Sequence, residues 1–169
     1  MGLNRSHINR IITENLLTKI DVENHRVSMR DTPTAEEEIE KLTNAPFAFR
    51  YAFTAMLIPA YDKIILNMTS AQAGLDQAKI VAALERYRLA KGNYPPALAE
   101  LVPAYLAKLP GDMFHDRGLV YRPYGDSFTL YSTGFNVEDD GGEFVLSQGK
   151  DISIEFDKGD WPWPSVTAE

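Results

Sequence analysis

The eight residues Leu89–Pro96, LAKGNYPP, divide the chain into two textures. Ahead of them, Tyr61 to Gly92 contains no proline and sets Ile80, Leu84 and Tyr87 at helical spacing. Ala73, Ala78, Ala82 and Ala83 leave room for close approach, and Gly92 suits a left-handed C-cap. A helix from about Ala60 to Gly92 is expected, roughly 45 Å long at 1.5 Å per residue. That exceeds what a small compact domain needs, so part of it protrudes or is covered by N-terminal helices. Gly74 is either a bend or a tolerated helical glycine.

Past Pro96, ALAELVPAYLAKLP reads as a short helix or helical turn closed by Pro103 and Pro110. GLVYRPYGDSFTLYSTG then alternates in the strand manner, with Leu119 and Tyr121 before PYGD and Phe128 and Leu130 after it. This pattern is a β-hairpin with a short glycine-containing loop. EFVLS and DISIEF supply two more short strands. One long helix against a small antiparallel sheet is an α+β domain.

Upstream, Ser6 to Ile20 places Ile8, Ile11, Ile12, Leu16 and Ile20 near one helical face. In DTPTAEEEIEKL, Thr34 is an N-cap with Glu37 completing a capping box, and Glu36 to Glu38 read as a solvated first turn. Residues 1–45 are therefore expected to form an N-terminal helical extension, and 46–169 the α+β domain. Pro46 to Met68 is the most apolar stretch, but Arg50, Asp62 and Lys63 interrupt it and Pro59 divides it. A membrane span needs about 20 nearly uncharged residues, so this segment reads as a buried or partner-facing helix. The first residues are amphipathic and lack the order of a signal peptide.

The 169 residues are 44% hydrophobic, enough for one core and an appendage. The formal net charge of -7 and the lack of a basic stripe argue against nucleic acid as a partner. Without cysteine, disulfides and thiolate metal sites are excluded.

Little in the chain points to catalysis. There are three histidines, His7, His25 and His115, and no nucleophile elbow, phosphate loop or paired-histidine zinc motif. The chain is not expected to be an enzyme. DMFHD gathers Asp112, His115 and Asp116, which could serve a metal-dependent hydrolase but read more simply as a polar turn. NVEDDGG offers the oxygens of Asn136, Glu138, Asp139 and Asp140, the donor type calcium takes, or else a plain acidic turn. It is not an EF-hand, because Ser147 stands where a bidentate Glu is required. WPWP, Trp161 to Pro164, is either a C-terminal strap over the core or, with Tyr121 and Tyr124, a platform of indoles and phenols for stacking on glycan or peptide.

The order of these signals resembles the soluble domain of the major pseudopilins of type II secretion. The resemblance is closest to a pseudopilin-like C-terminal module of bacterial envelope proteins, and it covers about Ala60 to Phe156. It rests on the Gly92, Tyr94, Pro95 turn after the helix and on Asp112, Phe114, Leu119, Tyr121 and Arg122 leading into a strand. It also rests on Tyr131, Ser132 and Gly134, with Asp139, Asp140, Gly141 and Gly142 following. Met113, Asp116 and Gly118 depart from the pattern, so the loop there should be rearranged. The resemblance implies a pilin-like fold on the periplasmic or extracellular side of the cell envelope, working through protein partners or self-association. Membrane contact would come only through a segment absent from this chain. It also implies a calcium ion in the acidic loop, for which Asn136, Asp139, Asp140 and Asp151 are the candidate ligands.

Overall fold

The computed structural model describes residues 52–114, 117–146 and 154–164, and before them only 20, 21, 23, 26, 27, 37, 40 and 44. Within these, the side chains of 52–55, 57–62 and 154–157 lie outside the described set. Contacts divide the chain into two compact units, Met1–Thr69 and Ser70–Glu169.

In the first unit, β1 (Ile20–Asp21) pairs antiparallel with β2 (Arg26–Val27), and Val27 is buried. Ile20, expected at the end of a helix, is instead strand. Of the acidic capping segment, Glu37 and Glu40 are helical, while Thr34 and the rest of the expected N-terminal helices lie outside the described residues.

The long helix α1 (Ala52–Lys91) runs from the first unit into the second, so it begins earlier than the sequence suggested and continues through both Pro59 and Gly74. At 40 residues it is about 60 Å long. Arg88 and Lys91 in its last turn complement the negative end of the helix dipole. The Gly92 amide then bonds the Arg88 carbonyl at 2.8 Å, and its φ of 86° turns the chain away, the role expected of it. No helix among the described residues is long and apolar enough to cross a membrane.

The second unit has an α+β core. Ile80, Ala83 and Leu84 of α1 are buried together with Tyr94, Leu101 and Leu130. The expected short helix is a single 3-10 turn, Leu98–Leu101, which delivers Leu101 to that core. Side chains lash the turn region to its neighbours: Tyr87 Oη donates to Glu100 at 2.6 Å, Tyr94 Oη donates to Glu85, and Tyr121 Oη donates to the Pro95 carbonyl at 2.9 Å.

The hairpin is β3 (Val120–Tyr124) and β4 (Ser127–Ser132), in register from Val120 opposite Tyr131 to Tyr124 opposite Ser127. Of the two loop residues, Gly125 alone has a positive φ, 57°, the pattern of a type II′ turn. Alternation along β4 aims Phe128 and Leu130 at the helix and Thr129 and Tyr131 at the other face. β5 (Phe144–Leu146) and β6 (Ile154–Gly159) form a separate antiparallel pair. β7 (Trp161–Pro162) adds a third strand to the hairpin, beside Tyr131 and Ser132. Trp163 N extends that ladder to the Leu130 carbonyl at 2.8 Å, and Gln77 of α1 donates to the Trp161 carbonyl at 2.7 Å. WPWP is thus a strap over the core.

Candidate functional site

The loop from Thr133 to Glu143 returns the chain from β4 to β5 and folds over the Tyr131 ring. Its turns are made by its own side chains. Asn136 Oδ1 accepts the Glu138 amide at 3.1 Å, and Asp139 Oδ1 accepts the Gly141 amide at 3.0 Å, two Asx turns in succession. Val137 between them has a φ of 59°, a rare conformation for a β-branched residue.

Asp139 is the hub of this loop. Besides Gly141 it accepts the Tyr131 hydroxyl at 2.7 Å, and its other oxygen lies 3.3 Å from the Arg122 guanidinium. The Tyr131 bond, then the Gly141 amide and Arg122, hold the Asp139 carboxyl below its ordinary pKa. Burial, followed by the charge of Asp139, pushes the Tyr131 phenol up to about 12. Arg122 also lies over the Tyr131 ring, 5.8 Å from its centroid.

A second carboxylate closes the far end of the loop. Asp160 is fully buried, and its Oδ2 accepts the Gly142 amide at 2.6 Å while its own amide bonds the Glu143 carbonyl at 2.8 Å. Its Oδ1 has no hydrogen-bond partner among the described residues. Burial raises its pKa, with the charges of Asp140 and Asp139 adding to the rise and the Gly142 amide opposing it.

The calcium expectation can be tested against these contacts. Asn136, Asp139 and Asp140 share the loop but turn their oxygens to different partners. Asn136 gives its oxygen to Glu138 and its amide nitrogen to Asp140 Oδ2 at 2.8 Å. Asp139 is held by Tyr131, Gly141 and Arg122, so a cation already sits beside it. Asp151 lies outside the described residues. Among the described residues no group of three His, Cys, Asp or Glu side chains is placed to hold a metal. Of the four candidate ligands the described residues contain three, and those three are engaged within the loop and with Tyr131 and Arg122.

The other candidates fall only partly within the described residues. Asp112 is buried and accepts the Phe114 amide at 3.0 Å as a turn residue, while His115 and Asp116, like His7 and His25, lie outside the described residues. Of the four aromatics considered as a platform, Trp161 is buried edge-on against Phe114 and Phe135, with centroids 5.0 and 5.2 Å away. Tyr121 is half-buried beside Phe128 and bonds Pro95, which leaves Tyr124 exposed at the hairpin tip.

Trp163 has a different place. With Thr129, Tyr131, Gly142, Phe144 and Pro164 it lines a surface cleft of about 280 Å³. Sequence reading missed Phe144, Arg122 and Asp160 as members of this region. The signal for Asp160 was a lone acid between a glycine and a tryptophan, which is legible only once Gly142 is known to approach it.

No family model, curated protein or solved structure matches the chain.

Proposed function

We propose that the chain is a non-enzymatic, pseudopilin-like module of a bacterial envelope or secretion-related protein, working through assembly or partner binding. The observation that carries this reading is the second apolar face of α1. Ile80 and Leu84 fill the core from one side, while Ala71, Leu75, Ala82 and Leu89 are exposed on the opposite side. Their spacing of four or seven residues keeps them in one stripe, and a helix facing only water and its own core has no use for it. Leu75 is 58% and Leu89 78% exposed. Supporting it are the long helix, the Gly92 turn, the hairpin and the loop over Tyr131, in the order that the resemblance implies. The acidic loop stiffens the edge of the sheet through its own hydrogen bonds.

Sedimentation velocity over a concentration series tests the reading, comparing the chain with a Leu75→Glu, Leu89→Glu double variant. The wild type is expected to associate as concentration rises, and the variant to stay monomeric with an unchanged melting temperature. A wild type that stays monomeric at its highest soluble concentration overturns self-assembly through the helix. Fractionation of the native host checks the envelope placement, and recovery in the cytosolic fraction would refute it.

A further inference from the structure

We infer that the cleft between β4, Phe144 and Trp163 is a docking site for an extended peptide that carries an apolar anchor flanked by Lys or Arg. The inference rests on the partner-binding reading and names the partner's chemistry. The cleft takes in Thr129 and Tyr131 from one face of β4 together with Leu130 and Trp163, which pack with the core, so it opens beside the strand at the margin of the sheet and not on the exposed stripe of α1. Helix-mediated assembly would leave it free.

Three features define the occupant. The first is size: about 280 Å³ suits one or two side chains, below the roughly 300 Å³ at which sites for whole small molecules begin. The second is polarity. Apart from Thr129 and Gly142 the walls are Leu130, rings and prolines, and the Tyr131 hydroxyl is committed to Asp139. Several sugar hydroxyls entering here would lose water with one side-chain hydroxyl, that of Thr129, to meet them, which disfavours glycan and favours an aliphatic, aromatic or proline side chain.

The third is charge. Glu143 sits between the lining residues Gly142 and Phe144, and Glu138 and Asp140 lie on the same loop, all three exposed. No ion pair among the described residues engages them, whereas the nearby cations Arg122 and Lys158 each have a partner. Glu143 at the rim, with Glu138 and Asp140 further along the loop, therefore presents unneutralised negative charge near an apolar slot. Exposed apolar side chains continue outward from it along β5, where Phe144, Val145 and Leu146 are 50%, 38% and 45% exposed. An extended chain can place its anchor in the cleft and its basic flanks on the rim, the arrangement in which side-chain pockets and charge give a peptide site its specificity.

The test is fluorescence anisotropy of the full chain with a library of fluorescein-labelled octapeptides. Lys or Glu is fixed at the flanks and apolar residues are varied at the two central positions. Lys-flanked members are expected to saturate, and their Glu-flanked counterparts to bind about tenfold more weakly at low salt, a gap that closes as salt screens the rim. Glu143→Lys should shrink the flank preference. Phe144→Ser, at a half-exposed position, should abolish binding without changing the melting temperature, and Leu75→Glu on α1 should leave binding intact. The proposal is overturned if no member binds, if flank charge makes no difference, or if Phe144→Ser binds as the wild type does. If Phe144→Ser instead abolishes self-association of the chain, a second copy is the occupant; this inference then falls while the assembly reading stands.

Discussion

The Gly142 amide points at Asp160 Oδ2 across 2.6 Å, joining the end of the acidic loop to the residue between β6 and β7. Asp160→Ala removes the acceptor and strands a part-buried N–H, which costs about 1–3 kcal/mol. Asp160→Asn keeps an acceptor and removes a buried charge, so at neutral pH it should be at least as stable as the wild type. The pH dependence follows from the raised pKa. The folded state holds this proton more tightly than the unfolded chain does, so the contribution is fully present below the ordinary carboxylate pKa. It is lost as pH rises from there through the folded value. Urea unfolding of the three proteins between pH 3 and 7 decides it, and an Asn variant as unstable as the Ala variant would refute the acceptor argument.

Asp139 should behave in the opposite sense. Its pKa is held down by Tyr131, Gly141 and Arg122, so its contribution is present above the ordinary carboxylate pKa and lost as pH falls through the folded one. Tyr131→Phe keeps the buried ring and deletes one bond to a charged acceptor, and a loss of about 1–2 kcal/mol at pH 7 is expected. That loss should shrink in acid. A Tyr131→Phe penalty that is flat from pH 7 to pH 3 would show that the hydroxyl acts independently of the carboxylate.

Calcium should leave the protein unmoved. A ligand at a hundred times its dissociation constant adds about 2.7 kcal/mol to the folded state, which a melting curve readily registers. Because the oxygens of Asn136 and Asp139 are committed inside the loop, millimolar calcium and millimolar EDTA should give the same midpoint. A rise of several degrees with calcium, absent in Asp139→Asn, would restore the metal.

The sequence carried the α+β architecture and lost the site for one physical reason: local signals are written in residue spacing, and the site is made by long-range approach. Ile80, Leu84 and Gly92 announce the helix and its end within a few turns, and Phe128 and Leu130 announce the hairpin within a few residues. The Gly142 to Asp160 bond, by contrast, joins residues 18 apart through segments that spacing leaves unrelated. EFVLS announced a short strand but not its partner, and Phe144 is half exposed in β5, which belongs to a separate two-stranded sheet. Trp161 and Trp163 looked equivalent in WPWP, and a spacing of two puts both on one strand face; Trp161 is nonetheless buried against Phe114 and Phe135, while Trp163 packs at the margin of the core and lines the cleft.

Gly134 and Gly159 should tolerate no side chain. A Cβ on Gly134 would meet the Gly159 carbonyl oxygen at 2.8 Å, and one on Gly159 would meet the Glu143 carbonyl oxygen at 2.9 Å. Both obstacles are backbone, and both glycines have a positive φ, 63° and 69°. Either Ala substitution combines a clash with conformational strain and should cost at least about 2 kcal/mol. Gly111→Ala, with open space and no positive φ, is the control and should change stability by less than about 0.5 kcal/mol. Equal melting temperatures for Gly159→Ala and Gly111→Ala would contradict the close approach.

Val137 is expected to be a point of stored strain that substitution can relieve. Its φ of 59° places a β-branched side chain in the left-handed region, between the two Asx turns capped by Asn136 and Asp139. Holding a non-glycine residue there costs on the order of 1–3 kcal/mol, and the neighbouring turns supply the constraint. Asn enters this region more readily than Val and, unlike Gly, adds little backbone freedom to the unfolded chain. Val137 is half-buried, so Val137→Asn forfeits some apolar contact, and the net gain should be about 1 kcal/mol or less. Val137→Ile is the matched control: it keeps the branch and the strain, so it should not stabilise. Denaturant melts of the two variants against the wild type measure the difference. If Asn fell below the wild type while Ile rose above it, packing at 137 would outweigh backbone strain.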